Sequence, residues 1–175
     1  MVTQPQQNLA PLSLLDPVIP GRTQPILPDL GWGINLAAAR LNFPEKGLQV
    51  QIPIWPGKAI GDSHKLFLNH EQVDQHTIAD TAETREPSTL WVPPKKMESG
   101  SYELTYEVKQ FGQKEERPDQ PLKLYVKLEL PGGQDTDPGD GHSNLSMSIP
   151  QAIIDQGVDK AIAEKGFLKI GRAHV

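Results

Sequence analysis

The clearest hydrophobic pattern in the chain is a strict alternation of apolar and polar residues in two segments, 101–109 and 122–130. A period of two is that of a β-strand with one buried and one solvated face. One set of side chains is predicted to share the buried face: Tyr102, Leu104, Tyr106, Val108, Leu122, Leu124, Val126, Leu128 and Leu130. Their neighbours, such as Thr105, are predicted to face water.

Four shorter segments are also predicted to be strands: 48–55, 64–69, 77–79 and 89–92. Pro53 cannot donate to a ladder and indicates an edge strand or a bulge. Leu66 and Leu68 share one face of their strand. Six or seven short strands within about ninety residues predict an all-β fold, an antiparallel β-sandwich over residues 34–131, with a barrel as the competing fold.

Residues 44–131 also carry a family resemblance. Residues 100–106 read Gly-Ser-Tyr-Glu-Leu-Thr-Tyr, residues 122–130 form the closing strand, and a Trp-Pro-Gly turn at 55–57 leads to Gly61. This arrangement resembles the immunoglobulin-like repeats of large bacterial multi-repeat surface proteins of the invasin and adhesin type. The resemblance implies an immunoglobulin-like sandwich with a structural or adhesive role and no catalytic residues. It also implies neighbouring repeats of the same chain, and host or cell-surface proteins or glycans, as partners.

Both ends of the chain differ from this central segment. Six of the first thirty residues are proline, which predicts an extended Pro-rich leader over residues 1–33 that packs little. Alternatively, residues 26–30 or the Trp32 region dock on the following domain. The leader lacks the basic and apolar regions of a secretory signal, so the sequence leaves the localisation unknown. A secreted or cell-surface location follows only from the resemblance.

A short internal repeat points to a second domain. Glu-Lys-Gly at residues 45–47 recurs at 164–166, each time after an Ala-rich stretch. We therefore expect residues 132–148 to be an acidic linker and residues 149–168 to open a second repeat that is truncated. The last seven residues, 169–175, match a translation of the start of a common sequencing adapter and are expected to be a non-native tail.

Composition excludes several classes of function. The formal net charge of −5 gives no basic surface for nucleic acid, and no apolar run is long enough to insert into a membrane. The chain has no cysteine, which excludes disulfides and thiolate metal sites. A glycan- or protein-binding sandwich module is the alternative to a structural or adhesive one, and it would need a row of exposed aromatic residues or a polar groove.

An enzyme is the third and least favoured class. Asp62, Ser63 and His64 follow Gly61 and resemble a GDS-type hydrolase motif. That chemistry needs the serine on a strand-to-helix turn, with a histidine and a carboxylate in contact with it. Because the residues after Ser63 are predicted to form a strand, the segment is interpreted as a turn, and no catalytic residue is predicted.

Two groups of residues raise the question of a metal. His64, His70 and His76 recur every six residues, a spacing that need not make them converge, so exposed histidines are expected.

The acidic segment offers three candidate calcium ligands: Asp135, Asp137 and Asp140. Counted from Asp135, the EF-hand pattern fails at Gly139 and Ser146, which stand at its fifth and twelfth positions. A flexible linker is therefore favoured over a calcium site, and no other cofactor is predicted.

Overall fold

The computed structural model describes residues 12–24, 31–133, 139, 144–165 and 170–173. The chain divides into two compact units, Met1–Leu128 and Glu129–Val175. Asp135, Asp137 and Asp140, and with them the calcium prediction, lie outside the described residues. Within the described residues, no helix is long and apolar enough to cross a membrane.

The first unit consists mainly of strands. In chain order they are β1 (Trp32–Asn35), β2 (Leu48–Ile52), β3 (Ser63–Leu68), β4 (Glu71–Thr77), β5 (Ser88–Val92), β6 (Gly100–Lys109), β7 (Glu115–Glu116) and β8 (Leu122–Lys127). A π-helical turn spans Ala37–Leu41, and 3₁₀ turns span Glu83–Arg85 and Pro94–Lys96. This content agrees with the predicted all-β class.

The strands form two sheets that share one hydrophobic core. The larger sheet has the order β1-β8-β6-β3-β4, with β7 also paired to β6, and the smaller sheet pairs β2 with β5. All of these pairs are antiparallel except β1 with β8, where Trp32 stands beside Leu124 and Asn35 beside Lys127. The prediction of a purely antiparallel arrangement is therefore wrong at β1.

The alternation in β6 and β8 selects the residues that enter the core, as predicted. Both sheets contribute to it, with Leu104, Tyr106, Val108, Leu122, Leu124 and Val126 from the larger and Leu48, Val50, Ile52, Leu90 and Val92 from the smaller. Tyr102 and Leu128 are only partly buried. Leu130 is 58% exposed because β8 ends at Lys127, and Gly133 N–H closes a turn on the Leu130 carbonyl, so its predicted burial is wrong.

Strand β4 was not apparent in the sequence. Its seven residues contain one aliphatic side chain, Val73, so they show no alternation. Asn69 and His70, both in the left-handed region, form the tight turn that joins β3 to β4. The strand predicted at 77–79 is wrong, because the ladder ends at Thr77 and buried Ile78 instead exchanges backbone hydrogen bonds with Gly61 and Asp62.

Part of the Pro-rich leader packs on the first unit. Val18 exchanges two backbone hydrogen bonds with Gln51 of β2, Ile19 is 2% exposed, and Tyr106 Oη donates to the Leu15 carbonyl at 2.7 Å. The expectation of an unpacked leader is therefore wrong for residues 12–24. Proline favours extended backbone, and extended backbone is what pairing with a sheet edge requires.

The second unit contains a strand pair and two short helices: β9 (Leu145–Ser148), α1 (Gln151–Gln156), α2 (Lys160–Lys165) and β10 (Ile170–Ala173). Strand β9 pairs antiparallel with β10. Helix α2 includes Glu164 and Lys165 of the second Glu-Lys-Gly segment, whereas the π-helical turn ends four residues before the first. Ile154 and Val158 are 60% and 54% exposed. The second repeat and the non-native origin of residues 169–175 stay predictions.

Candidate functional site

Polar side chains are buried together in one region of the first unit. Four polar or charged residues of the described chain are buried: Lys58, Asp62, His64 and Ser88. Trp55 contacts Asp62 and His64, His76 contacts His64, and Glu83 contacts His76; these three residues complete what we call the buried polar cluster. Burying such groups is costly unless each finds a partner, so their contacts decide what the cluster can do.

The Asp62 carboxylate joins three parts of the chain. Its Oδ2 accepts from Trp55 Nε1 at 3.2 Å and from the Ala59 N–H at 3.0 Å, and its Oδ1 accepts from the Phe111 N–H at 3.1 Å. Asp62 is 2% exposed. It therefore fastens the 55–61 loop to the turn that follows β6.

The Lys58 ammonium group is held inside the cluster. Its Nζ donates to the Glu86 carbonyl at 2.7 Å and to Ser88 Oγ at 2.8 Å, and it lies 4.7 Å from the centroid of the Trp55 ring. Burial lowers the pKa of Lys58, and the nearby carboxylates of Glu83, Asp62 and Glu86 oppose that shift. These contacts partly replace the water that the ammonium group has lost.

His64 and His76 face each other across β3 and β4. They are register partners, and their ring centroids lie 5.5 Å apart. His76 Nε2 lies 3.0 Å from Glu83 Oε2, and this hydrogen bond lowers the pKa of Glu83. The His64 ring, fully buried, also packs 5.3 Å from the Trp55 ring. The expectation of exposed histidines is therefore wrong for His64.

His64 has no polar partner within the described chain, since neither ring nitrogen makes a hydrogen bond there. Burial lowers its pKa to about 4, with His76 and Lys58 adding to the effect. The imidazole is therefore neutral at pH 7 and unfavourably placed to accept a proton.

A cleft of about 230 Å³ opens beside the cluster. Its lining residues are His76, Glu83, Glu86, Pro87, Ser88 and Thr89. Lys58 lies behind this wall and is bonded to the Glu86 carbonyl and the Ser88 hydroxyl. The cleft thus offers carboxylates and an imidazole at its surface, with a buried ammonium group behind them.

The residues of the hydrolase-like motif do not form a catalytic triad. Ser63 and His64 are adjacent on β3, and the burial pattern of that strand places them on opposite faces. The Asp62 carboxylate is bonded to Trp55, Ala59 and Phe111, and the His64 nitrogens are unpaired among the described residues. A nucleophile, base and carboxylate must contact one another in sequence to act together, and these three residues do not.

The three regularly spaced histidines are separated as well. His70 lies at the turn between β3 and β4 with its side chain 84% exposed, whereas His64 and His76 meet near the far end of these strands. Six residues of extended strand span roughly 20 Å. Within the described residues, no group of three or more histidine, aspartate or glutamate side chains could hold a metal ion.

The sequence contained one usable signal for this cluster. His64 is in phase with Leu66 and Leu68 on β3, so the alternation already placed it on the buried face. No local pattern marks Lys58, whose partner Ser88 lies thirty residues further along the chain. Comparison with protein-family models, with curated proteins and with solved structures finds no match to this chain.

Acid is expected to destabilise the protein through His64. The unfolded side chain has a pKa near 6.5 and the folded one a pKa of about 4, so the unfolded state takes up the proton first as pH falls. The free energy of unfolding should therefore decrease between pH 6.5 and 4 by roughly 2–3 kcal/mol and level off below. Urea melts at pH 7.5 and 4.5 would measure this decrease.

The matched variants are His64→Leu, which removes the buried imidazole, and His70→Asn, which removes an exposed one and keeps a residue that tolerates the left-handed turn. In His64→Leu, the free energy of unfolding should decrease less between pH 7.5 and 4.5 than in the native chain. In His70→Asn, it should decrease as much as in the native chain. An unchanged acid dependence in His64→Leu would contradict the prediction.

Proposed function

We propose that this chain supplies an immunoglobulin-like β-sandwich module with a structural and adhesive, non-catalytic role in a multi-repeat bacterial surface protein. The observation that carries the proposal is the strand order of the two sheets. The neighbouring repeats are its partners within the chain, and an exposed loop surface is its contact with a host or cell-surface protein.

The strand order supports an immunoglobulin-like sandwich. In such a domain, strands A, B, E and D form one sheet, and strands C, F and G form the other, to which C′ is added in the variable type. Here Val18 bridges to β2 and β2 pairs with β5, while the second sheet contains β4-β3-β6-β8. Taken in chain order, these segments occupy the positions A, B, C, C′, E, F and G.

A tyrosine at the start of β6 supports the same assignment. Tyr102 Oη accepts a hydrogen bond from the backbone N–H of Glu98, four residues upstream, at 2.9 Å. Immunoglobulin-type sandwiches carry a tyrosine at this corner whose hydroxyl bonds the backbone a few residues upstream. The chain departs from antibody domains in having no cysteine pair, and His64 takes an inward position on the strand that corresponds to C.

The parallel pair of β1 and β8 suits a module under tension. Strand β1 lies near the start of the sandwich and β8 is its last strand. Because the two strands are parallel, pulling β1 from its amino end and β8 from its carboxyl end loads their hydrogen bonds together in shear. An antiparallel pair pulled in this way would be opened one bond at a time.

Gly31 allows this pairing. It has φ +75°, and a Cβ at this position would lie 2.1 Å from the Lys123 carbonyl oxygen of β8. Gly31→Ala should therefore separate β1 from β8 and lower the unfolding force when the full chain is stretched between its termini in an optical trap. The control is Gly112→Ala, where φ is +75° but no atom lies within 4 Å of the added carbon. Equal unfolding forces for both variants would contradict the proposal that the β1–β8 pair resists the applied force.

The adhesive part of the proposal rests on two exposed loops. Ile54, Ile60 and Phe111 are 46%, 54% and 86% exposed, and Asp62 ties their two loops together. The Phe111 ring lies beside Gly61, where an added Cβ would meet its Cδ2 at 3.9 Å. Loops at the ends of immunoglobulin sandwiches carry recognition, and exposed apolar side chains held in place favour a protein partner.

Beads coated with the full chain and applied to cultured epithelial cells would test adhesion. Phe111→Ser should abolish most of the bead binding. Leu41→Ser is the matched control, because Leu41 is 65% exposed but lies in the π-helical turn before β2, away from both loops. Equal loss in the two variants, or no binding by the native chain, would contradict adhesion through these loops.

A further inference from the structure

Strand β4 is the outer strand of the larger sheet. It pairs with β3 alone in that sheet, and the register between them shifts at Leu66 and Phe67. Its side chains are exposed or half-buried along its whole length. Outside that sheet, the Asp74 carboxylate of β4 accepts a hydrogen bond from the Trp91 N–H of β5 at 2.8 Å. Strands at a sheet edge that are poor in buried apolar contacts are among the first to open in a native protein.

The contact between β3 and β4 includes the buried histidine. His64 stands opposite His76, with the ring centroids 5.5 Å apart, and on its other side it stands opposite Val108 of β6. The Trp55 ring contacts both groups: its centroid lies 5.3 Å from that of His64 and 4.7 Å from the Lys58 ammonium nitrogen. A proton on His64 would therefore add a charge to a buried site in which Lys58 already opposes it.

The charged groups around His64 offer it little compensation. Lys58 approaches from the 55–61 loop and His76 from β4, and both oppose a charge on His64. Glu83, from the 3₁₀ turn, is the carboxylate that favours it, but Glu83 Oε2 already contacts His76 Nε2 and the Ala79 N–H. The Asp62 carboxylate holds three other N–H donors. The remaining way to satisfy a charged His64 is to admit water.

We propose that His64 and His76 form an acid latch, which releases β4 from β3 when His64 takes up a proton. Opening β4 exposes the His64 ring to water and separates it from His76. The pairing of β3 with β6 and of β6 with β8 is kept. Strand β3 then becomes the new outer strand, with its backbone donors and acceptors free. The latch does not depend on the adhesive role proposed above.

Amide hydrogen exchange of the full chain at pH 7 and pH 4.5 tests the latch. Protection factors, which correct for the intrinsic effect of pH on exchange, should fall in peptides covering β4. The pKa of His64 is about 4 while β4 is paired with β3, and we take it as 6.5 once β4 has opened. The protection factors at β4 should therefore fall roughly 50-fold between the two pH values. Peptides covering β8 should keep their protection. A uniform loss over all strands, or no loss at β4, would overturn the proposal.

Variants then assign the effect to the two histidines. His64→Leu and His64→Phe both replace the imidazole by an apolar side chain and should keep β4 protected at pH 4.5, so the test does not depend on a single variant folding. His76→Gln removes the second imidazole but leaves His64 buried, and it should show an intermediate loss. A native-like loss in either His64 variant, or in His76→Gln, would overturn the two-histidine latch.

Discussion

Replacing Asp62 by alanine is expected to lower the free energy of unfolding by roughly 3–4 kcal/mol, because the buried indole N–H of Trp55 and two backbone N–H groups of the exposed loops lose their charged acceptor at once. The indole of Trp55 and the backbone N–H groups of Ala59 and Phe111 all depend on this one carboxylate. Asp62 is 2% exposed, so water cannot replace it without loosening the loop. Urea denaturation of the variant and of the native chain measures the difference.

Asp80→Ala is the matched control for this prediction. Asp80 Oδ1 accepts one hydrogen bond, from the Glu83 N–H at the start of a 3₁₀ turn, at 3.0 Å, and the residue is exposed. Its loss should cost at most about 1 kcal/mol, because this single hydrogen bond is exposed and water can replace the acceptor. If both aspartate variants lost the same stability, the hydrogen bonds of Asp62 to the two loops would not be what stabilises them.

The sequence predicted the centre of the sandwich well. In β6 and β8 every second residue is apolar, and the side chains of Leu104, Tyr106, Leu124 and Val126 enter the core accordingly. Alternation is a local property, and it determines which face of a strand is buried whatever the strand pairs with. The same alternation in β3 places His64 on the buried face, together with Leu66 and Leu68.

Elements that depend on distant partners were not predictable in this way. Strand β4 lies at the edge and has a polar sequence, so its pairing with β3 is decided by the tight turn at Asn69 and His70 rather than by burial. Strand β1 has only four residues, and its parallel pairing with β8 joins segments about ninety positions apart. A local sequence pattern cannot indicate which distant segment a strand pairs with.

The buried polar cluster was hidden for the same reason. Lys58 looks like an ordinary surface lysine after a Pro-Gly turn, and only the fold brings it to the Glu86 carbonyl and the Ser88 hydroxyl. Asp62 was considered as part of a hydrolase motif, but its donors come from the preceding loop and from a turn after β6. The spacing of the motif alone could not distinguish a carboxylate that joins two loops by hydrogen bonds from a catalytic carboxylate.

Leu104 provides the most direct test of the sandwich core. It is fully buried at the middle of β6, where Leu68 of β3 stands on one side and Leu122 of β8 on the other. Leu104→Ala should lower the free energy of unfolding by roughly 3–5 kcal/mol, through lost burial and the cavity left between these strands. Urea melts of the full chain at pH 7 would measure it.

Thr105→Ala is the control one residue further along β6. Thr105 lies on the opposite face of the strand, half-exposed, and pairs there with Phe67. Its truncation should change the free energy of unfolding by at most ~0.5 kcal/mol, because it creates no cavity in the core. Because a shift of one residue would exchange the two faces, equal effects at Leu104 and Thr105 would mean that the register of β6 is wrong.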